Sequence, residues 1–471
     1  MFELFKNIRL SLSSVVFISL ILAFWAVWRW LVLRVWSSPE EQWSFLALLA
    51  VVFFAFIRTK TDPADDQPVR SQSDLSFTSL GFFSTIFFTF LYAASFTFAP
   101  PFLRAILAVT ALTFTLSRWR FGKTFHAGLW SLLLLSLPSV ASLQFFLGYP
   151  LRVIVGIATT FLLQTQGLDV WREGVCLHFG EKLIWIDAPC SGVKMLWFGL
   201  FLAAFLVCFH RLSNLKSAAV IASAFVVILL GNIFRASALF YIEAELVSVP
   251  PFMHEAVGVF SFIFTGLGIV FISATLRKFK DYSIADCFPG LSLQGIVKRH
   301  FAEASAILFL TACVMAFLAP FWFSNIRSDN LTAEGFPGFQ TTFEGHPLRE
   351  LPLSDREKLF LDYFPGNIGR FTDGRREIII RFVRQATRQL HPAGDCFRAV
   401  GYETKPLPIK VDNEGKRWSC FSAVKASEKL RVCERINDAS GNEWTDVSAW
   451  YWTALNENKG EWWAVTVAER E

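Results

Sequence analysis

Charge is what this sequence lacks. Of its 471 residues only 18% are Asp, Glu, Lys or Arg, against 54% hydrophobic, and the mean hydropathy is +0.44. A chain this apolar is not intrinsically disordered. The net charge of +5 is too small for nucleic-acid binding to be its main theme. Metal motifs are missing as well. There is no HExxH and no CxxC, and the seven histidines are scattered at 126, 178, 210, 254, 300, 346 and 391. No phosphate loop or dinucleotide fingerprint occurs, so neither a metal nor a cofactor is predicted. Eight cysteines do not make a disulfide scaffold. No internal repeat is visible and intramembrane charges are few, which counts against a transporter.

Apolar surface is abundant instead. With 52 Phe and 17 Trp, a soluble fold could not hide it, and the composition is that of a membrane protein. Runs approaching the ~20 apolar residues that a span needs lie at 11–33, 43–57, 76–98, 102–117, 126–146, 192–209, 215–241, 254–275 and 301–323. The first reads as an uncleaved anchor. Basic residues cluster in alternate loops: Lys6 and Arg9; Arg58, Lys60 and Arg70; Arg118, Arg120 and Lys123; Arg211 and Lys216; and Arg277 to Arg299. Each cluster is read as cytoplasmic. Residues 150–168 are apolar enough to span, but a full crossing there would break the parity between the clusters around 120 and 214. They are read as an outer re-entrant or interfacial segment. Residues 169–190 read as an outer loop holding a small hairpin. The predicted architecture is an all-α polytopic membrane bundle over 1–323, with about nine spans and a core at 126–275. An exported α+β or mainly β domain follows over 324–471.

Three reactive groups stand in or beside apolar spans, where such groups are costly: Cys190 in DAPCSG, Arg235 in GNIFRAS and His254 in PFMHEAVG. Cys190 lies 21 residues before Arg211, Arg235 lies 19 after Lys216, and His254 lies 23 before Arg277. At 1.5 Å per residue these offsets are roughly 28–35 Å, about one hydrocarbon thickness, so all three fall at one outer interface. A neighbouring cation favours the reactive thiolate, Arg offers a planar fork of donors, and His can shuttle a proton. Each also has a plainer reading. A cysteine in a membrane helix is commonly a small packing residue, as Cys208 and Cys313 are read. Arginine near a span end snorkels to headgroups, and histidine at a helix start can be an interfacial anchor. Their coincidence at one depth favours a site.

These residues resemble the exosortase/archaeosortase family. The matching pieces are WREG (171–174), APCSG (188–192), NIFR (232–235) and His254, in that order. The resemblance implies a membrane-embedded cysteine protease/transpeptidase with Cys190 as nucleophile, Arg235 as thiolate or oxyanion stabiliser and His254 as general acid/base. Its implied partners are exported proteins whose C-terminal signal joins a Pro-Glu-Pro-type motif, a transmembrane helix and a basic cluster, together with an envelope acceptor. The implied place is the bacterial inner membrane, with the site and the C-terminal domain on the periplasmic side. The tail, through its 347–371 region, RREIIIRFV (375–383) and HPAGDCFRAVGYE (391–403), is similar to the exosortase-associated domain of exopolysaccharide-producing systems. Release of the product to water, or a non-catalytic scaffold for polysaccharide export, stay open as alternatives.

Within the tail, 378–383, 417–424, 429–436, 444–453 and 462–467 read as strands. Residues 354–363 read as a helix with a Ser354–Glu357 capping box. The tail aromatics and His391 read as structural. Cys420 and Cys433 flank KASE (425–428) symmetrically, so a hairpin turning there sets them opposite each other at disulfide distance. That leaves Cys396 as the odd cysteine, either free or competing for a partner.

Overall fold

The computed structural model describes residues 12–37, 39–56, 79–186, 192–250, 252–279, 297–322, 336–361, 364–412, 414–457 and 460–471. Two compact units emerge: Met1–Ser142 with Arg152–Asn325, and Leu143–Leu151 with Ile326–Glu471. The helices of the first unit are α1 (Leu12–Ala23), α2 (Trp25–Ser37), α3 (Ser44–Phe56), α4 (Leu80–Ala94), α5 (Pro101–Phe121), α6 (Ala127–Leu135), α7 (Val140–Thr165), α8 (Val193–Phe209), α9 (Asn214–Glu243), α10 (Met253–Lys278) and α11 (Val297–Trp322). Strands β1 (Val170–Glu173), β2 (Cys176–Phe179) and β3 (Lys182–Trp185) lie between α7 and α8.

Apolar surroundings leave no water for stray polar groups, and several hydroxyls of the helices find partners within the chain. Thr89, Thr110 and Thr113 return their hydroxyls to carbonyls four residues back, at 2.7–2.8 Å. Basic side chains close carbonyls at one end of the bundle. Arg120 Nε donates to Phe54 O at 2.8 Å, Lys123 Nζ to Leu212 O at 3.2 Å, and Lys216 Nζ to Phe279 O. Asn214 ties the start of α9 to the start of α6, accepting from Ala127 N at 3.1 Å and donating to Phe125 O at 3.0 Å. The ends of α3, α5, α8 and α10 and the starts of α6 and α9 therefore share one end.

Among the described residues six helices are long and apolar enough to cross a membrane, or seven if α1 and α2, bent by 61°, make one span. Three of the nine expected spans are short: α3, α6 and α8 have 13, 9 and 17 residues. Two boundaries need correction. The expected span 126–146 is broken after α6 by Ser136-Leu137-Pro138-Ser139, where proline cannot continue the helix. The segment 150–168 is no separate element but the second half of the 26-residue α7.

α7 does not cross from one end of the unit to the other, despite its length. At its start the buried carboxylate of Glu41 accepts from Val140 N at 3.1 Å and Ala141 N at 2.9 Å. Glu40 beside it lies 3.5 Å from Lys194 in the first turn of α8. At its finish Leu163 packs with Phe240 and Ala244 at the last turns of α9, and Tyr241 donates its hydroxyl hydrogen to Gln166 Oε1. Both termini thus lie away from the basic end.

The second unit holds β4 (Thr342–Phe343), β5 (His346–Pro347), β6 (Arg349–Leu351), α12 (Asp355–Leu361), β7 (Gly366–Thr372), β8 (Glu377–Val383), α13 (Ala393–Ala399), β9 (Glu403–Val411), β10 (Arg417–Lys425), β11 (Glu428–Asp438), β12 (Glu443–Trp444), α14 (Val447–Asn456) and β13 (Trp462–Arg470). An antiparallel sheet runs β6-β7-β8-β13-β11-β10-β9, with β12 beside β11. Residues alternate between its faces. Val432, Ile436 and Ala464 meet the helices, whereas Ile378, Ile380, Val465 and Val467 pack with Phe343 and Trp418 on the other side. Cys420 and Cys433 are register partners on β10 and β11, 4.1 Å apart at Cα and joined by a disulfide. The Ser354–Glu357 capping box forms reciprocally, at 2.6 and 3.3 Å. The expected strand 444–453 is mostly helix. Asp446 caps α14, accepting from Ala449 N at 2.8 Å, and only Glu443–Trp444 pairs as a strand.

Leu143–Leu151 belongs to this unit because Pro150 leaves an opening in α7. Proline has no N–H for the carbonyl of Phe146, and Trp452 Nε1 donates to that carbonyl instead, at 2.8 Å. Ser448 Oγ accepts from Tyr149 N at 3.3 Å, and Tyr451 packs against Phe145 and Phe146. Replacing Trp452 by Phe keeps the ring and removes the donor. We expect it to destabilise this unit by about 1–3 kcal/mol, read by thermal unfolding and limited proteolysis. Adding Pro150→Ala, which restores the helix's own donor, should recover part of the loss. Additive effects of the two changes would show that the bond is not coupled to the proline.

Candidate active site

Of the three predicted residues, Arg235 and His254 are described, and Cys190 lies outside the described residues with the whole of 187–191. Before that stretch stands a three-stranded antiparallel sheet rather than the expected hairpin, because WREG itself supplies β1 and the turn at Gly174. Its exit residue Ile186 is buried with Leu163, Leu177 and Phe240. Lys182 fixes the sheet to the end of α9, donating to Ala244 O at 3.0 Å and pairing with Glu245 at 2.5 Å.

After the stretch comes Gly192, the N-cap of α8. Its φ of +72° is left-handed, where a side chain is strained. It also faces Asn232 so closely that a Cβ would stand 2.8 Å from Nδ2 and 2.9 Å from Cγ. Glycine is therefore required twice over at the end of the Cys-Ser-Gly element. Asn232 is 2% exposed and lies one turn before Arg235 on the same side of α9.

Arg235 sits within α9, which continues two turns further to Glu243. Its guanidinium does not leave the bundle. It lies against α10 at Gly258, where an added Cβ would meet Nε at 3.7 Å, Nη2 at 3.9 Å and Cζ at 4.0 Å. His254 is exposed and stands one turn earlier on α10, on the face it shares with Gly258. The helices approach closely because small residues line the contact. Gly199 faces Ile228, Gly231 faces Thr265 and Met195, and Gly268 faces Val227. The fold thus gathers Gly192, Asn232, Arg235, Gly258 and His254 at one place, from three helices. Among the described residues no three His, Cys, Asp or Glu gather as metal ligands.

The arrangement places a permanent cation with several N–H donors one helical turn from the residue that carries an imidazole. That pair can stabilise an anion and move a proton. Asn232 enters the sequence reading only as the first residue of NIFR, with no role of its own, and Gly258 does not enter it. A buried amide in an apolar helix, three residues from an arginine, was the available signal for the first. Nothing in sequence spacing marked the second.

Gly258→Ala adds a methyl at ordinary contact distance and should leave thermal stability within about 1 kcal/mol of the wild type. Gly258→Leu should displace the guanidinium and destabilise the unit by about 1–3 kcal/mol. Gly192→Ala should fold less stably by about 1 kcal/mol or more. Thermal unfolding in detergent, with membrane abundance as control, reads all three. A Gly258→Leu protein as stable as the wild type would show that Arg235 does not need this seat.

The family model described as transmembrane exosortase matches residues 35–271. That interval contains WREG, the Cys-Ser-Gly element, Arg235 and His254. No curated protein and no solved structure matches the chain. The match covers half of the sequence and the whole of the gathered site, and the chain belongs to the transmembrane exosortase family.

Proposed function

We propose that the protein is a membrane-embedded cysteine peptidase that works as a transpeptidase on exported proteins bearing a C-terminal sorting signal. The observation that carries this reading is the double seating of Arg235 and Gly192. The guanidinium rests on Gly258 one turn from His254, and Gly192 rests on Asn232 one turn from Arg235. Cys190 is two residues before Gly192 in the chain, which supports a thiol within reach of both groups.

In this mechanism His254 takes the thiol proton and the Cys190 thiolate attacks the scissile carbonyl. The planar fork of Arg235 stabilises first the thiolate and then the oxyanion. Collapse breaks the C–N bond, and His254 returns the proton to the departing amine, leaving a thioester on Cys190. An acceptor amine then attacks the thioester, His254 takes its proton, and the thiol is released. A substrate with a Pro-Glu-Pro-type motif, a transmembrane helix and a basic tail would lie laterally against the bundle. Its motif would then meet the end opposite the basic clusters. The proposed setting is the inner membrane, with nine crossings that include the short α3, α6 and α8. The basic end is then cytoplasmic, and α7, the site and the tail lie on the periplasmic side.

Cys190→Ala should abolish processing at normal membrane abundance. Arg235→Lys, which keeps the charge and loses the fork, should fall at least about 100-fold. Wild-type processing by Cys190→Ala would remove the nucleophile. Mass spectrometry of the processed C-terminus separates the two fates: an adduct supports transfer, and a free carboxylate means hydrolysis.

The orientation has its own test. Cysteines introduced at 170–185 should react with an impermeant thiol reagent from outside, and those at 118–123 should not. The reverse pattern would put the site on the cytoplasmic face.

A further inference from the structure

A second thiol–imidazole pair stands in the C-terminal unit, separate from the residues above. Cys396 on α13 has its Sγ 3.0 Å from His391 Nε2. The other ring nitrogen, Nδ1, lies 2.8 Å from the backbone carbonyl of Gln389. A carbonyl oxygen only accepts, so Nδ1 carries the proton in the neutral ring and donates to it. Nε2 is then the basic nitrogen, and the Cys396 thiol donates to it. This is a nucleophile, a base and a group that orients the base.

The surrounding fold holds the pair in place. Arg381 Nη1 donates to the carbonyl of His391 at 3.0 Å, Phe360 presents an edge-on ring contact to the imidazole, and Glu434 accepts from Ala393 N at 2.8 Å, fixing the helix that carries the thiol. Cys396 itself is solvent exposed. Its α13 neighbours Ala393 and Phe397 pack with Phe421, Ala423 and Val432, whereas the Cys420–Cys433 disulfide belongs to the opposite face of the sheet. The sheet therefore separates Cys396 from that disulfide.

We infer that Cys396 and His391 form a thiol–disulfide exchange site for a disulfide carried by another molecule. His391 Nε2 takes the thiol proton, and the Cys396 thiolate attacks one sulfur of the incoming disulfide. The incoming S–S bond breaks as a new one forms. The departing thiolate takes the proton from the imidazolium, and a mixed disulfide remains on Cys396. Two thiol-level sulfurs exchange places and no further oxidant is consumed. Exchange requires a thiolate and access; desolvation, with Asp395, Glu434 and Glu357 nearby, holds this thiol above its ordinary value, so His391 supplies the base it needs, and the thiol is exposed. Acyl transfer would in addition require donors aimed at an oxyanion. The inference is independent of the membrane site.

The test uses full-length protein in detergent, with glutathione disulfide as the probe and peptide-resolved mass spectrometry as the readout. At pH 7 the wild type should form the mixed disulfide on Cys396 at least about tenfold faster than His391→Asn, a conservative value for loss of a general base. The two rates should converge only well above about pH 9, because desolvation holds this thiol above its ordinary value and it ionises unaided only there. Convergence also shows that the variant keeps the thiol accessible. Equal rates at pH 7, or no adduct on Cys396 in the wild type, would overturn the inference.

Discussion

The contact on which the rest of the membrane unit depends is the seat of a guanidinium on bare backbone. An arginine in the body of an apolar helix has two ways to avoid hydrocarbon. It can extend to the headgroups, or it can fold against a neighbouring helix that leaves room for it. Arg235 does the second, and the room is Gly258. The glycine-lined contacts of α8, α9 and α10 let the helices come close enough for this to happen. The same closeness brings Asn232 onto Gly192, so the start of α8 is fixed by a residue of α9. Site geometry here follows from helix spacing, and helix spacing follows from the absence of side chains at a few positions.

Much of this was legible in the sequence, for identifiable reasons. The depth of Arg235 and His254 follows from helical rise and the position of basic residues, both one-dimensional quantities. The tail hairpin was legible because KASE is flanked symmetrically by Cys420 and Cys433. Where the reading failed, a particular contact had decided the outcome, long-range in one case and local in two. Pro150 looked like the start of a new element because its cost inside a helix is normally prohibitive. Trp452, 302 positions later in the chain, removes that cost by serving the orphaned carbonyl. The aromatic run after Trp444 looked like a strand until the Asp446 cap turned it into α14. WREG became a strand because the turns at Gly174 and Gly180, both at positive φ, match two antiparallel pairs.

The two faces of the tail sheet carry opposed chemistry for a structural reason. One face is sealed with aromatic and aliphatic rows around an oxidised pair, Cys420–Cys433. The other is covered by short helices, whose ends demand polar partners, and these bring Glu434, Arg381 and His391 inward. A thiol on the helical face therefore sits among groups that can move its proton. The two cysteines on the other face are bonded to each other and have no thiol proton to move.

The repair of Pro150 also has a consequence in time. The hydrogen bond from Trp452 to Phe146 joins residues 306 apart. At a synthesis rate of 5–20 residues per second, the carbonyl waits about 15–60 s for its donor. During that interval the turn at Leu143–Leu151 has neither its own amide nor the indole. A chain interrupted before Trp452 would hold that turn open for good. Completion of α14 is thus the event that closes a defect created in the first third of the chain, and it makes the segment around Trp452 a checkpoint on the earlier part.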